Sequence, residues 1–379
     1  MEIEPSVREL LAPLWADAVI HKIPMYMQFE LTSRCNLKCR MCYIASNSAE
    51  NRRRELSAAQ WLEITRQARN MGLIVANITG GEPLIKEDFW ELHDGLTNLG
   101  LIYTLNTNGT TMTKETVKRL AKSPPFRVLV SVYGGSAETY AKLTTNGKWF
   151  DQARAGIENL MEAGVNTLIR MTLVKDNLHE LESVFNWADS IGRRLFVSDY
   201  MSPRREYGET DPIGARLDPS QMVDATSTLQ LLTRQRLERL SGDDPPEQDD
   251  QPEEDASPEQ DDPPEPYRFN TEYGFGCGSG TAVGFVSYDG RLLPCCMANE
   301  PSVNLLNANF QDAWQELSRL TREVPSCTEC DACKLSQYCI PCPPKLKSES
   351  GSYSKKSSYL CEYASLQKLY YEAQKKSTK

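Results

Sequence analysis

Three cysteines, Cys35, Cys39 and Cys42, fall within eight residues, and nine more crowd between Cys277 and Cys361, with none between the two groups. A cysteine sulfur serves as a nucleophile, a disulfide partner or a soft metal ligand, and its surroundings decide which. No apolar run approaches the ~18 residues a membrane span needs, and the opening Met1-Glu2-Ile3-Glu4 is acidic where a signal peptide would be basic. The chain therefore reads as cytoplasmic, where thiols stay reduced, and ligation of a metal or cluster becomes the leading account of all 12. Three thiolates this close together can hold three corners of a cubane iron–sulfur cluster and leave the fourth iron open to a substrate or cosubstrate. The only histidines, His21, His93 and His179, offer no nearby fourth ligand. Structural zinc wants four closed ligands, usually as two paired knuckles, and no second pair stands nearby.

The second group reads Cys277-x12-Gly290-x4-Cys295, then Cys330-x2-Cys333-x5-Cys339-x2-Cys342, then Cys361, with Cys296 and Cys327 in addition. Two four-iron clusters with full cysteine coordination use about eight thiolates, which leaves one of the nine over. Adjacent residues rarely bind one cluster together, so Cys296 is the natural surplus. Taken alone, the Cys-x2-Cys pairs would also suit one or two zinc ribbons.

Elements that position these residues alternate along the chain. Strands are expected at Tyr26–Leu31, Ile74–Thr79, Ile102–Thr107, Val128–Val132, Thr167–Val174 and Leu195–Ser198, each a short β-rich run. Between the first two, Ser57 caps a helix with Gln60 three residues on, Trp61, Ile64, Ala68 and Met71 share one face, and Gly72 ends it. Further helices are expected at Phe89–Leu99, Lys114–Ala121, Phe150–Ala163 and Leu178–Ile191, after an N-terminal one, Val7–Ile20, interrupted by Pro13. Strand and helix alternating in this way give right-handed βαβ units and a parallel sheet, with chemistry at the carboxyl ends of the strands. Four sequence stretches fall at those ends: the first cysteine group, Thr79-Gly80-Gly81-Glu82-Pro83-Leu84, Asn106-Thr107-Asn108-Gly109 and Ser131-Val132-Tyr133-Gly134. Paired glycines let a backbone come close to a ligand, and a fixed carboxylate such as Glu82 can receive an ammonium group. Read alone, Gly-Gly-Glu-Pro is more often an ordinary turn.

Together these features resemble the radical S-adenosylmethionine (SAM) superfamily, on Cys35-x3-Cys39-x2-Cys42 after a first strand and the Gly80-Gly81-Glu82-Pro83 loop one βα unit later. The tail resembles the SPASM extension of one branch, differing in x2 rather than x3 before Cys342. The resemblance implies a partial (β/α)6 TIM-type barrel with a C-terminal Cys-rich auxiliary-cluster domain. It implies a [4Fe-4S] cluster on Cys35, Cys39 and Cys42 that cleaves SAM to a 5'-deoxyadenosyl radical. It places Met41 at the adenine, Gly80, Gly81, Glu82 and Asn108 in the cosubstrate loops, Ser131 at the ribose or carboxylate, and Arg170 at the carboxylate. Relatives often carry an arginine where this chain has Tyr140-Ala141-Lys142-Leu143-Thr144, so Lys142 is a second candidate for the carboxylate. In the tail it implies two auxiliary [4Fe-4S] clusters, one on Cys277, Cys295 and Cys342 and one on Cys330, Cys333, Cys339 and Cys361. Cys327 completes the first or stays free.

The chain divides by composition into an N-terminal helical segment (1–25), the core (26–215), a connecting helix (216–242, capped by Asp218 with Pro219 at its first position), an acidic proline-rich loop (243–266), the auxiliary domain (267–365) and a polar tail (366–379). The loop holds 12 carboxylates and 7 prolines with no Lys or Arg, and reads as disordered. Without it 42 basic residues face 40 acidic ones. That balance excludes the basic footprint of a nucleic-acid or anionic-membrane binder. Within the auxiliary domain, Asp289-Gly290 reads as the turn of a hairpin between Val283–Tyr288 and Arg291–Leu293.

By resemblance the function is modification of a ribosomally made peptide or protein side chain by crosslinking, oxidation or epimerisation. The alternative is a dehydrogenase or epimerase of a small molecule such as a sugar alcohol or aminoglycoside. A flavodoxin or ferredoxin would supply electrons. With 25 residues before the first strand, leader recognition is expected from a separate protein or from the barrel.

Overall fold

The computed structural model describes residues 7–44, 49–203, 212–242, 275–339 and 342–377. The acidic run expected to be a loop, and the first residues of the auxiliary domain up to 274, lie outside the described residues.

Six parallel strands follow the expected order: β1 (Tyr26–Glu30), β2 (Val75–Thr79), β3 (Ile102–Thr107), β4 (Arg127–Val132), β5 (Thr167–Thr172) and β6 (Leu195–Ser198). The helices on their outer side are α3 (Ala58–Asn70), α4 (Phe89–Asn98), α5 (Lys114–Leu120), α7 (Lys148–Glu162) and α8 (Leu181–Ser190). Two short helices sit in the loops, α2 (Ala49–Arg54) and α6 (Ala137–Thr144), and α1 (Val7–His21) precedes the sheet. Pro13 lies inside α1 without ending it; the proline costs one ladder hydrogen bond and the helix continues past it.

Alternation along the strands separates two faces. On β3, β4 and β5 every second residue is buried under the helices, including Tyr103, Leu105, Val128, Val130, Ile169 and Met171. The residues between, Thr104, Asn106, Leu129, Ser131, Leu168 and Arg170, are half-buried on the other face, which the helices leave open. On the covered side Trp61 of α3 meets Phe29 of β1 with ring centroids 5.4 Å apart. Enclosing each such side chain contributes ~1.5–3 kcal/mol. Ser57 and Gln60 form the expected capping box at the start of α3.

The sheet does not stop at the barrel. Past α9 (Pro219–Gly242), β7 (Val283–Val286) adds in parallel to the free side of β1, with Tyr26 opposite Val283 and Gln28 opposite Phe285. The hairpin continues antiparallel through β8 (Arg291–Leu293) and β9 (Val303–Asn304), giving nine strands in the order β6-β5-β4-β3-β2-β1-β7-β8-β9. Gly290 turns the expected hairpin at φ +83°. Helices α10 (Phe310–Arg322), α11 (Thr328–Asp331), α12 (Pro343–Ser350) and α13 (Ser358–Ser377) complete the tail. Trp314 of α10 is fully buried beside Gly284 and donates its indole N–H to the Lys22 carbonyl at 2.7 Å. Among the described residues no helix is long and apolar enough to cross a membrane.

Candidate active site

The loop after β1 carries Cys35, Cys39 and Cys42, and the Gly80-Gly81-Glu82 loop after β2 is clamped to its start. The Gly81 N–H donates to the Thr32 carbonyl at 2.7 Å and the Glu82 N–H to the Arg34 carbonyl at 2.8 Å. A Cβ on Gly80 would stand 2.7 Å from the Thr32 oxygen, and one on Gly81 would stand 2.1 Å from the Arg34 oxygen. The close approach that these glycines permit is thus to the cysteine loop itself. Arg34 is fixed from the other side by Glu55 and Glu87, each at 2.9 Å.

Glu82 was expected to offer a carboxylate to an ammonium. Its carboxylate is wholly enclosed and accepts from the Asn108 N–H at 2.8 Å, the Thr107 hydroxyl at 2.9 Å and the Leu84 N–H at 3.3 Å. Burial pushes its pKa up to about 7 against these three donors. It joins the ends of β2 and β3. Asn108, so held, donates its amide to Asn36 Oδ1 at 2.8 Å and stands 3.7 Å from the Cys35 sulfur.

Met41 is buried with Leu143, Val174, Met201 and Ala215, against Cys39 and Tyr133, so its side chain seats the cysteine loop on α6 and the loop after β5. Lys142 is engaged by Asp176 at 2.7 Å, and Asp176 also takes Arg40 of the cysteine loop at 2.8 Å. Lys142 therefore helps to hold the loop. Arg170 differs: it lies beside Ser131 and Phe196 in register on the open face, with its guanidinium 5.1 Å from the Phe196 ring and no carboxylate partner among the described residues.

Burial pushes the Cys35 thiol up to about 12, and raises that of Cys39 as well. A bound metal's charge inverts that preference. Backbone amides already point at the sulfurs, as thiolate ligands require: the Leu37 N–H reaches Cys35 at 3.4 Å and the Leu335 N–H reaches Cys333 at 3.4 Å. Met297 does the same for Cys295 and Lys345 for Cys342.

The tail thiols sort into two groups by the charges they feel. Cys295 senses Cys296, Cys342 and Cys277, and Cys342 senses Cys277 and Cys296. Cys330 senses Cys327, Cys361 and Cys339, and Cys361 senses Cys333 and Cys327. Cys327 is buried with Leu346 and Leu360 next to Cys330 and Cys339. The resemblance left Cys327 to complete the first group or stay free, and adjacency to Cys295 set Cys296 aside; in the structure Cys327 stands near the second group and Cys296 near the first. Spacing counts ligands but does not say which are neighbours. Among the described residues no three His, Cys, Asp or Glu side chains are arranged to hold a single metal ion.

A parallel α/β sheet with a three-cysteine loop at the carboxyl end of its first strand defines a class of iron–sulfur protein. Residues 29–188 match the family described as the Radical SAM superfamily. A relative named AdoMet-dependent heme synthase, from Methanosarcina barkeri, is 27% identical over 343 residues, 90% of this chain and 97% of its own length. Another, mycofactocin maturase MftC from Mycolicibacterium smegmatis, is 28% identical over 320 residues, 82% of this chain and 75% of its own. Among solved structures, Streptococcus suis SuiB bound to S-adenosylmethionine superimposes with a TM-score of 0.66 at 20% identity, covering 95% of this chain and 84% of SuiB. Over residues 29–188 the chain thus matches the radical SAM superfamily, a family that implies a [4Fe-4S] cluster and SAM as cofactors.

Proposed function

We propose that this enzyme modifies a side chain of a ribosomally made peptide or protein. Bound to Cys35, Cys39 and Cys42, the cluster would supply the electron that cleaves SAM to a 5'-deoxyadenosyl radical able to take hydrogen from an unactivated carbon. The chain's own residues position that chemistry. Gly80 and Gly81 press their loop onto the cysteine loop, Glu82 locks it to Asn108, and Met41 seats it from below. Ser131 and Arg170 lie on the open face, where a hydroxyl and a guanidinium with no carboxylate partner among the described residues suit the ribose and carboxylate of SAM.

The tail groups, Cys277, Cys295, Cys296 and Cys342 on one side and Cys327, Cys330, Cys333, Cys339 and Cys361 on the other, have enough thiols for two auxiliary [4Fe-4S] clusters. Their role would be to hold the substrate or accept the electron left after hydrogen abstraction. The observation that carries the reading is the unbroken sheet: β7 joins the cysteine-rich tail directly to the strand that bears the catalytic cysteine loop. MftC is named a maturase, and SuiB has been solved with its precursor peptide SuiA. A low-potential flavodoxin or ferredoxin would deliver electrons.

A second reading rests on length. Relatives named heme synthase match nearly their whole chain, and under that reading the substrate is a small molecule. Incubation with SAM, reductant and candidate precursor peptides, followed by mass spectrometry, separates the two. Loss of two hydrogens marks a crosslink or oxidation, and unchanged mass with solvent deuterium marks epimerisation. Turnover of a small molecule with inert peptides overturns the first reading.

A further inference from the structure

Helix α12 lies between the two cysteine groups of the tail and is fastened at both ends. Cys342 precedes it, and the Leu346 N–H closes the first turn on the Cys342 carbonyl at 2.9 Å. Near its other end Glu349, whose side chain is 4% exposed, takes Arg216 Nη1 at 2.6 Å and the Tyr200 hydroxyl at 2.9 Å. Arg216 in turn covers the Tyr359 ring at 3.6 Å. Lys345 is one turn before Glu349 on the same face, and its ammonium stands 4.2 Å from the centre of the Tyr200 ring. Tyr200 and Tyr359 both pack, with Cys330 and Cys339, against the buried cluster of Cys327, Leu346 and Leu360.

One turn of a doubly anchored helix thus holds a cation at the boundary of the two groups. Lys345 follows Cys342, the residue that precedes the helix, by three positions; its neighbour Leu346 is buried with Cys327, and the Tyr200 ring that it faces packs with Cys339 on the same cluster. Lys356, another lysine near the second group, is neutralised by Glu329 at 2.7 Å, with both side chains exposed. Lys345 has no carboxylate partner among the described residues.

We propose that Lys345 is an electrostatic bridge between the two auxiliary centres, a fixed positive charge that raises the reduction potential of both. The inference rests on the reading of the tail as two iron–sulfur clusters. Adding an electron makes a cluster more negative, so a cation held beside it favours the reduced form. Lys345 would act as a positioning charge; it touches no reacting atom.

The test uses the full chain with Cys35, Cys39 and Cys42 replaced by alanine, so that iron signals come from the tail. Iron and zinc are counted first, and an EPR-monitored redox titration then compares the parent with Lys345→Gln and Lys345→Arg. The expected result is a shift to more negative potential in Lys345→Gln and a parent-like potential in Lys345→Arg, at equal iron content. Unmoved potentials in Lys345→Gln overturn the proposal while leaving the two clusters standing. An equal shift in Lys345→Arg also overturns it, by assigning the effect to packing. A tail that holds zinc in place of iron overturns the proposal together with the two-cluster reading.

Discussion

Replacing Glu82 with alanine strips an acceptor from Thr107, Asn108 and Leu84 at once, inside a site closed to water. Each buried donor left unpaired costs ~1–3 kcal/mol, so Glu82→Ala is expected to lose about 3 kcal/mol or more in denaturant unfolding. Glu82→Gln, which keeps one acceptor oxygen, is expected to lose clearly less. Arg170 gives the opposite signature. It holds no ion pair among the described residues, so Arg170→Ala should leave stability nearly unchanged while weakening SAM binding about tenfold or more, the worth of a charge-assisted hydrogen bond. Equilibrium binding of SAM to the loaded protein reads this, and an unmoved affinity would place the carboxylate elsewhere. His93 carries a pH dependence. It is buried against the Tyr103 hydroxyl, and desolvation lowers its pKa below the ordinary 6.5. A base with a lowered folded pKa contributes stability that is complete above its unfolded pKa and is lost as pH falls through 6.5. Thermal unfolding between about pH 7.5 and 5.5 should therefore show a decline that is shallower in His93→Gln.

Between elements, glycine positions decide how closely backbones meet. A methyl group on Gly81 would collide with the Arg34 carbonyl oxygen at 2.1 Å, and backbone cannot step aside as a side-chain tip can. Gly81→Ala is expected to dislodge the cysteine loop and cut iron retention at the first site, read as iron per chain after desalting. Gly284 plays the matching part where β7 meets β1: a Cβ there would stand 2.7 Å from the Trp314 ring and 2.8 Å from the Met27 side chain. Gly284→Val should cost about 1–3 kcal/mol as overpacking and loosen the tail from the barrel. Limited proteolysis should then release the tail, which stays attached in the parent protein. Local pattern made much of this level legible. The β-rich runs Ile102–Thr107 and Leu195–Ser198 gave the strand bounds found, and Ser57 with Gln60 marked the start of α3. Pairing of β7 with β1 was not legible, because period and turn chemistry describe neighbours in sequence and these strands are joined only by long-range register.

On the scale of the whole molecule, the cysteines announced the chemistry, and folding decided how they group. The resemblance implied a Cys277, Cys295 and Cys342 group and a Cys330, Cys333, Cys339 and Cys361 group; where Cys296 and Cys327 stand needed α12 and the hairpin to be placed. Glu82 was visible as a fixed carboxylate, but nothing in a linear motif reports that Thr107 and Asn108 enclose it. The central claim is that three of these cysteines hold a cluster that cleaves SAM, and it is tested on protein reconstituted anaerobically. With about 12 irons per chain from three four-iron clusters, the parent should produce 5'-deoxyadenosine and methionine under strong reductant, and Cys39→Ala should produce neither while keeping about eight irons. A fully iron-loaded parent that leaves SAM intact would contradict the account.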